Sequence, residues 1–282
     1  MYLQVVQMKI SIIIPSYNQY SFLEKSLLSA IRQDYVEKEI FVMDGGSTDG
    51  SINIIKKYER DLKYWQSQPD GGQSAAISKG IELSTGEIVG WLNSDDILMP
   101  GAITRIARKA REINTTDAVF YGGNYIIDEQ DTIQDAYLGC EIKKFIHYRL
   151  GPTICQPGTF FGRRIYDEVG GLNKELQYGM DYELWFKFMH AHVPFIYIRS
   201  IQSGFRRHPY QKGHSSIWLK KCLEERSQIK STYGLSSKSK IEVSFAYILF
   251  QLYKILNGST IYTVIYRLYN HHRLREYQTY YT

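Results

Sequence analysis

The sequence predicts an α/β fold: a mixed, mainly parallel sheet with helices on both faces, followed by a C-terminal helical tail. Three observations predict it. Short β-branched runs alternate with amphipathic stretches as far as Pro100, which is the pattern of βαβ units. Polar loops follow the apolar runs at Ser16, Asp44, Asp70 and Asn93, and open sheets of this kind bind ligands at their strand ends. With 282 residues, 44% apolar and 22% charged, the chain can bury a sizeable core and is not disordered.

Ile10 to Pro15 (Ile-Ser-Ile-Ile-Ile-Pro) reads as a buried strand closed by proline. Ser16-Tyr17-Asn18 is a loop. Ser21 is the expected cap of a helix to about Gln33, with Phe22, Leu23, Leu27, Ala30 and Ile31 as its apolar stripe. Glu39 to Met43 is a second strand running into the turn-rich Asp44-Gly45-Gly46-Ser47-Thr48-Asp49-Gly50. Ser51 to Tyr58 is a helix, Tyr64 to Ser67 a short strand before Asp70-Gly71-Gly72, and Gln73 to Leu83 a helix ended near Gly86. Glu87 to Leu92 is a strand that stops at Asn93-Ser94-Asp95-Asp96. Beyond Pro100 the pattern mixes. A helix is expected from Ala102 to about Ile113, and strands at Ala118 to Tyr121, Tyr125 to Ile127, Gly158 to Phe161 and Phe195 to Ile198. Further helices are expected from Asp181 to Ala191 and from Ser216 to about Tyr233.

The net charge of +5 is unevenly placed. Residues 235–282 hold six Lys/Arg against two acids, leaving +1 for residues 1–234, and eight of the 24 tyrosines follow residue 246. Met1 to Met8 lacks the basic start and apolar centre of a signal peptide, and no apolar run reaches the roughly 18 residues of a span, so a cytoplasmic chain is expected. Cys140, Cys155 and Cys222 are widely spaced, which argues against a disulfide framework or a cysteine zinc site and for small core residues.

No Gly-x-Gly-x-x-Gly follows the first strand and no P-loop is present. Carboxylates occupy the strand ends instead. Asp44 either makes a turn or accepts a nucleobase ring N–H. Asp95 and Asp96 together cost desolvation unless a cation joins them. A hard divalent ion sharing phosphate oxygens is one reading, a helix cap the other. Asp181 opens an apolar helix, as an N-terminal charge or as a general base over the crevice. Phe205-Arg206-Arg207-His208 is a solvated loop or a diphosphate clamp, with His208 able to complete a metal shell.

Taken together, these motifs resemble the family 2 glycosyltransferases, inverting enzymes of GT-A (Rossmann-like) fold that use nucleotide-diphosphate sugars. The resemblance covers about residues 9–215. Pro15-Ser16-Tyr17-Asn18 is similar to the family's opening motif and Val42 to Gly50 to its nucleoside loop. Pro69-Asp70-Gly71-Gly72-Gln73-Ser74, continuing to Lys79-Gly80, resembles a variant of bacterial polysaccharide-assembly members. Trp91 to Asp96 stands in the place of the Asp-x-Asp metal motif, and Met180-Asp181 in that of Glu-Asp. The sequence departs from the family at Asn93 and Met180, which leaves Asp95 for the metal and makes Glu183 a candidate second carboxylate. The processive Gln-x-x-Arg-Trp motif is absent, so the expectation is one sugar per binding event.

The resemblance implies a GT-A domain over 9–234, with a nucleotide-binding half at 9–100 and an acceptor half at 101–234. It leaves an N-terminal extension at 1–8 and a basic, Tyr-rich helical tail at 235–282. It implies Asp181 as catalytic base and Asp95 with His208 as holders of Mn²⁺ or Mg²⁺. Donor-nucleotide contacts fall to Pro15, Ser16, Tyr17, Asn18, Asp44, Asp70, Gln73, Ser74, Lys79, Asn93, Ser94 and Asp96. Arg206 and Arg207 take the diphosphate, and Gln156, Gly158, Thr159, Glu183 and Trp185 the sugar or acceptor. Uracil suits the Asp44 contact, which favours a UDP-sugar. The implied partners are a nucleotide-sugar donor and a sugar or lipid-linked sugar acceptor, with no nucleic acid. A sugar-nucleotide nucleotidyltransferase would want a basic Gly-rich first loop, and an inactive sugar-nucleotide-binding protein would be expected to lack Asp95 or Asp181. Val243 to Leu256 is apolar nearly all round if helical. The tail is therefore expected either to dock peripherally on the inner membrane face or to pack on protein, including a second copy.

Overall fold

The computed structural model describes residues 8–141, 150, 154–209, 211, 216–234, 240–256 and 261. Strands β1 (Ile10–Ser16), β2 (Lys38–Asp44), β3 (Tyr64–Ser67) and β4 (Ile88–Trp91) run parallel in the spatial order β3-β2-β1-β4. The second half adds β5 (Ile97–Leu98), β6 (Val119–Ile127), β7 (Ile133–Tyr137), β8 (Phe160–Gly162) and β9 (Phe195–Arg206). The full order is β3-β2-β1-β4-β8-β6-β9-β5, with β7 paired to β6. Strands β6 and β9 share the direction of the first four, whereas β5, β7 and β8 oppose it. The ends of β1, β2, β3, β4, β6 and β9 therefore meet along one edge.

Helices α1 (Tyr20–Ile31), α2 (Ser51–Lys57), α3 (Gln73–Leu83), α4 (Ala102–Glu112), α5 (Arg163–Glu168), α6 (Met180–His190), α7 (Ser216–Thr232) and α8 (Lys240–Leu256) cover the sheet and extend beyond it. Strand alternation sorts the core into two layers. Ile10, Ile12 and Ile14 of β1 with Ile40 and Val42 of β2 pack against Leu23 and Leu27 of α1 and Ile103 and Ile106 of α4. Ile13, Phe41 and Met43 point the other way, into a layer with Ile77 of α3 and Trp185 and Phe188 of α6. Helix α3 approaches β1 so closely that a Cβ on Gly80 would stand 2.5 Å from Ile13 Cγ2.

Three local expectations are corrected. Helix α1 starts at Tyr20 without a Ser21 cap: the Tyr20 N–H donates to Asp49 Oδ2 (2.9 Å) and the Gln19 N–H to Ser51 Oγ (3.2 Å), so the cap comes from the loop after β2. The glycines at 122 and 123 do not split β6. They admit a close neighbour, since a Cβ on Gly122 would stand 2.6 Å from Ser200 O. Strand β9 continues through Arg206, because pairing with β6 and β5 carries it past Ile198, so Phe205-Arg206 is not loop. Strand β7 and helix α5 were not legible from periodicity.

The tail is helical over α8, which touches the end of β7: Tyr253 Oη lies 3.3 Å from Glu141 Oε2 and the Lys254 ammonium sits over the Tyr137 ring. Residues 1–7, 235–239, 257–260 and 262–282 lie outside the described residues, so most of the basic part of the tail does too. No helix among the described residues is long and apolar enough to cross a membrane.

Candidate active site

The crevice at the strand ends is built from loops that hold one another. Asp44, at the end of β2, is fully buried, and its carboxylate accepts four hydrogen bonds: from Ser47 Oγ (2.5 Å), the Ser47 N–H (2.8 Å), the Gly46 N–H (3.1 Å) and Ser67 Oγ (2.6 Å). A carboxylate so occupied shapes the 45–50 loop and has little capacity left for a ligand. Asn18, in a left-handed conformation, clips the first loop to the same turn: its Oδ1 accepts from the Thr48 N–H (2.9 Å) and its N–H donates to Ser47 Oγ (2.8 Å). Pro15 lies opposite Met43 and Ser16 opposite Asp44 in the β1–β2 ladder, and Ser16 is buried.

Tyr17 and Asp70 close over Gly45. A Cβ there would stand 3.3 Å from both the exposed Tyr17 ring and Asp70 Oδ2. The exposed Tyr17 ring can stack a flat heterocycle on its free face, and a carboxylate such as that of Asp70 can accept a ring N–H. Asp70 is steadied by the Gly72 N–H, which donates to Oδ1 (2.8 Å).

The loop after β4 forms the second wall. Asn93 works as a hub. Its Oδ1 accepts from Gln73 Nε2 (2.8 Å), and its Nδ2 donates to Asp96 Oδ2 (3.1 Å) and Gln156 Oε1 (3.2 Å). An amide can donate and accept at once, whereas an ionised carboxylate in this place could only accept. Ser94 is buried within the loop. Asp96 is buried and accepts from the Arg206 N–H (2.9 Å); burial, with Asp95 beside it, holds its carboxyl well above the usual range. The antiparallel register Ile97↔Gly204 between β5 and β9 turns Asp95 toward the chain beyond Arg206. There His208 Nε2 lies 3.2 Å from Asp95 Oδ2, with the imidazole against the Phe22 ring.

The Asp95–His208 pair fits a divalent cation. Two ligands bound at about 2.1 Å and at right angles stand about 3 Å apart, and imidazole with carboxylate is a donor set that transition ions accept. Among the described residues no third His, Cys, Asp or Glu completes a cluster. A cation here would take its remaining ligands from outside this set, as oxygens of a bound diphosphate could supply.

The third wall is the start of α6. Asp181 is half-buried, and its Oδ1 accepts from the Tyr182 N–H (2.7 Å). Burial pushes its carboxyl above the usual range, against the pull of that N–H and of Arg226. The Cys155 thiol is pushed up to about 12 by burial, with the Asp181 and Asp96 carboxylates adding to the rise. Cys155 is only partly buried, whereas Cys140 and Cys222 are the buried cysteines expected. Gln156 donates from Nε2 to Trp91 O (2.9 Å), and Thr159 Oγ1 donates to Cys155 O (2.7 Å), closing a turn in which Gly158 has a φ of +76°.

Several expected site residues have other work. Arg206 is fully buried: Nε donates to Asp95 O (2.7 Å), Nη1 to Asp128 O (2.7 Å), and Nη2 pairs with Asp131 at 2.5 Å. It therefore braces the loop that carries Asp95 and is not a solvent-facing diphosphate clamp. Arg207 beside it is exposed. Lys79 stands on the exposed flank of α3, paired with Glu82 at 2.9 Å and nearly two turns from Gln73. Ser74 is buried, and its hydroxyl donates to Leu176 O (2.7 Å), tying α3 to the segment before α6. Glu183 is two residues past Asp181 and turned away from it, 3.5 Å from Lys187. Trp185 stacks on Trp91 in the core (centroids 6.2 Å apart, 11° between planes), so neither it nor Glu183 faces an acceptor. Pattern reading missed Ser67, Cys155 and Gln177, and with them Glu225 and Arg226 of α7, none of which carries a local motif.

Residues 11–170 match the family model described as glycosyl transferase family 2. An uncharacterized glycosyltransferase of Rickettsia felis is 29% identical over 218 residues, covering 72% of this chain. The chain spans only 35% of that relative's length. A Campylobacter jejuni protein named GalNAc(5)-diNAcBac-PP-undecaprenol beta-1,3-glucosyltransferase is 29% identical over 140 residues, 48% of this chain and 44% of its own. Among solved structures, S. aureus TarS 1-349 in complex with UDP-GlcNAc superposes with a TM-score of 0.62 at 18% identity, covering 85% of this chain and 70% of that one, a likeness of fold.

Proposed function

The chain belongs to glycosyl transferase family 2, and from that premise we propose that it moves one sugar from a nucleotide-diphosphate sugar to an acceptor hydroxyl with inversion, in the assembly of a bacterial surface polysaccharide or glycan. The observation that carries this reading is that two adjacent residues of α3 tie both walls together: Gln73 reaches Asn93 of the Asp95–Asp96 loop, and Ser74 reaches Leu176 and Met180 at the start of the Asp181 helix. A base and a cation site facing one crevice are what a single displacement at an anomeric carbon needs.

Tyr17 stacks the nucleobase, and Asp70 accepts its ring N–H over Gly45, which favours uracil and hence a UDP-sugar. Asp44 and Asn18 hold the loop that carries Gly45. Asp95 and His208 would hold Mn²⁺ or Mg²⁺, whose charge, when bound, stabilises the departing diphosphate. Asn93, fixed by Gln73 and Gln156, orients the neighbouring loop toward the ribose and phosphates. Asp181 takes the proton of the acceptor hydroxyl as its oxygen attacks from the face opposite the leaving group. Partial burial makes Asp181 a stronger base than an exposed carboxylate, and proton transfer of this kind contributes about 10²–10⁴-fold.

The acceptor we propose is a lipid-linked sugar, a class to which the name of the Campylobacter jejuni relative points for that protein. Helix α8 supports it. Phe245, Ile248, Leu252, Ile255 and Leu256 are exposed along one stripe of that helix, and the following sequence holds Arg267, Arg273 and Arg275 among tyrosines. Apolar residues beside cations suit an anionic membrane surface. The purified chain with Mn²⁺ and a panel of nucleotide sugars tests the whole reading. We expect a thermal shift and slow donor hydrolysis with one UDP-sugar. No shift and no hydrolysis with any UDP-, GDP- or dTDP-sugar would overturn it. Flotation with anionic vesicles, lost in Phe245→Ser/Leu252→Ser, tests the membrane part. A variant that floats equally, or a wild-type chain that dimerises without floating, returns the stripe to protein packing.

A further inference from the structure

The turn that starts α6 is held by one side chain from α7. Glu225 accepts from the Gln177 N–H (3.0 Å, Oε1), the Tyr178 N–H (2.9 Å, Oε2) and the Gly179 N–H (2.7 Å, Oε2). These donors lie just before Met180, the first residue of α6, whose second residue is Asp181. Gly179, the helix cap, offers no side chain of its own, so the capping carboxylate is supplied from 46 residues away. The fit is close, because a Cβ on Gly179 would stand 3.0 Å from Ile229 of α7 and 3.4 Å from Glu225 Oε2. One turn beyond the cap, the Arg226 guanidinium lies over the Tyr182 ring, 5.2 Å from its centroid. On the far side, Ser74 holds Leu176 O and the Gln177 amide faces Gly72, just before α3. The segment 176–179 is thus clamped between the start of α3 and α7.

We propose that α7 sets the working position of Asp181: Glu225 is a positioning residue that fixes the turn carrying the base, and Arg226 completes the hold from the next turn. This rests on the reading of Asp181 as the base. It also means that the catalytic unit extends beyond the family-matched residues 11–170, to α7 at least. A backbone turn held by three charge-assisted hydrogen bonds moves little, and a misplacement of about 1 Å can cost on the order of 10²-fold in rate. Among the described residues, the groups coupled electrostatically to Asp181 are the Tyr182 N–H on its own helix, Arg226 and Cys222 on α7, and Cys155. Arg226 is the cation among them and favours the ionised base.

A mutant cycle on the full chain tests this through kcat, donor Kd and the pH profile. Glu225→Ala should lower kcat by about 10²-fold with donor Kd unchanged, and Glu225→Gln, which keeps one acceptor oxygen, should lose less. In an Asp181→Asn background, where only residual donor hydrolysis is left, Glu225→Ala should cost nothing further. Arg226→Met should move the acid limb of the kcat profile to higher pH. If Asp181→Asn is inactive yet Glu225→Ala keeps wild-type kcat, or costs the same factor in both backgrounds, the inference falls and the base assignment stands. Wild-type turnover by Asp181→Asn overturns the base assignment and this inference with it. Should Glu225→Ala not fold, Glu225→Gln and Arg226→Met carry the test, and an unchanged kcat and acid limb in both overturns it.

Discussion

His208 Nε2 stands 3.2 Å from Asp95 Oδ2, joining residues 113 positions apart across the ends of β4 and β9. If this pair holds the cation, Asp95→Ala and His208→Ala should each lose activity and metal-dependent UDP binding together. Titration of Mn²⁺ by calorimetry with UDP present checks it. Full activity in excess EDTA would send the diphosphate to protein cations such as the exposed Arg207.

Asp181→Asn should abolish transfer and leave donor Kd near wild type. It should also stabilise the fold at about pH 7. The folded-state pKa of Asp181 lies above its unfolded value because of burial. Below about pH 3.9 the group is protonated in both states and costs nothing, and above the folded value it is ionised in both and carries the full cost. Thermal melts at about pH 7 and about pH 3 check the sign: a rise in Tm for the variant at the higher pH and none at the lower. The acid limb of wild-type kcat should lie above the ordinary aspartate range for the same reason.

Asp70 and Asp44 should separate by phenotype. Asp70→Asn should weaken UDP binding and blur the choice between uracil and other bases with little change in melting. Asp44→Asn should lower stability first, since hydrogen bonds to a charged group are worth about 1.5–3 kcal/mol each and Asp44 accepts four. Paired melting and nucleotide-binding curves read both. The reverse pattern would put the base on Asp44.

Arg206→Met should cost about 1–3 kcal/mol of stability, the range for leaving a buried acceptor unsatisfied, because the carbonyls of Asp95 and Asp128 would lose their donor while Asp131 keeps Lys25. Urea unfolding checks it. An unchanged midpoint with a raised donor KM would return Arg206 to the diphosphate.

Local pattern carried much of the fold. Alternating Ile and Val in β1 and β2 face two core layers, and only a sheet covered on both sides buries both sets. The loops after Pro15, Met43, Ser67 and Leu92 had to gather at one edge because parallel strands end together. Elements lacking a period of their own, such as β7 and α5, were not visible, and β9 is twice interrupted by polar residues that only its neighbours on β6 make tolerable.

The sequence by itself determined where carboxylates would cluster: Asp44, Asp70, Asp95 and Asp181 each follow a strand or open a helix, and strand direction sends them to one crevice. Tertiary structure alone decided which of them face it. Asp44 is consumed by its own loop and by Ser67, while Asp70 stays beside the bare backbone of Gly45. Arg206 and His208, two residues apart, part company. The guanidinium is buried on the carbonyls of Asp95 and Asp128, and the imidazole meets the Asp95 carboxylate. The cap of the base helix likewise comes from Glu225, 46 residues beyond Gly179. A buried polar group must find a partner, and that partner's place along the chain is unconstrained. Its identity is therefore fixed by how the elements pack and cannot be read from the residues beside it.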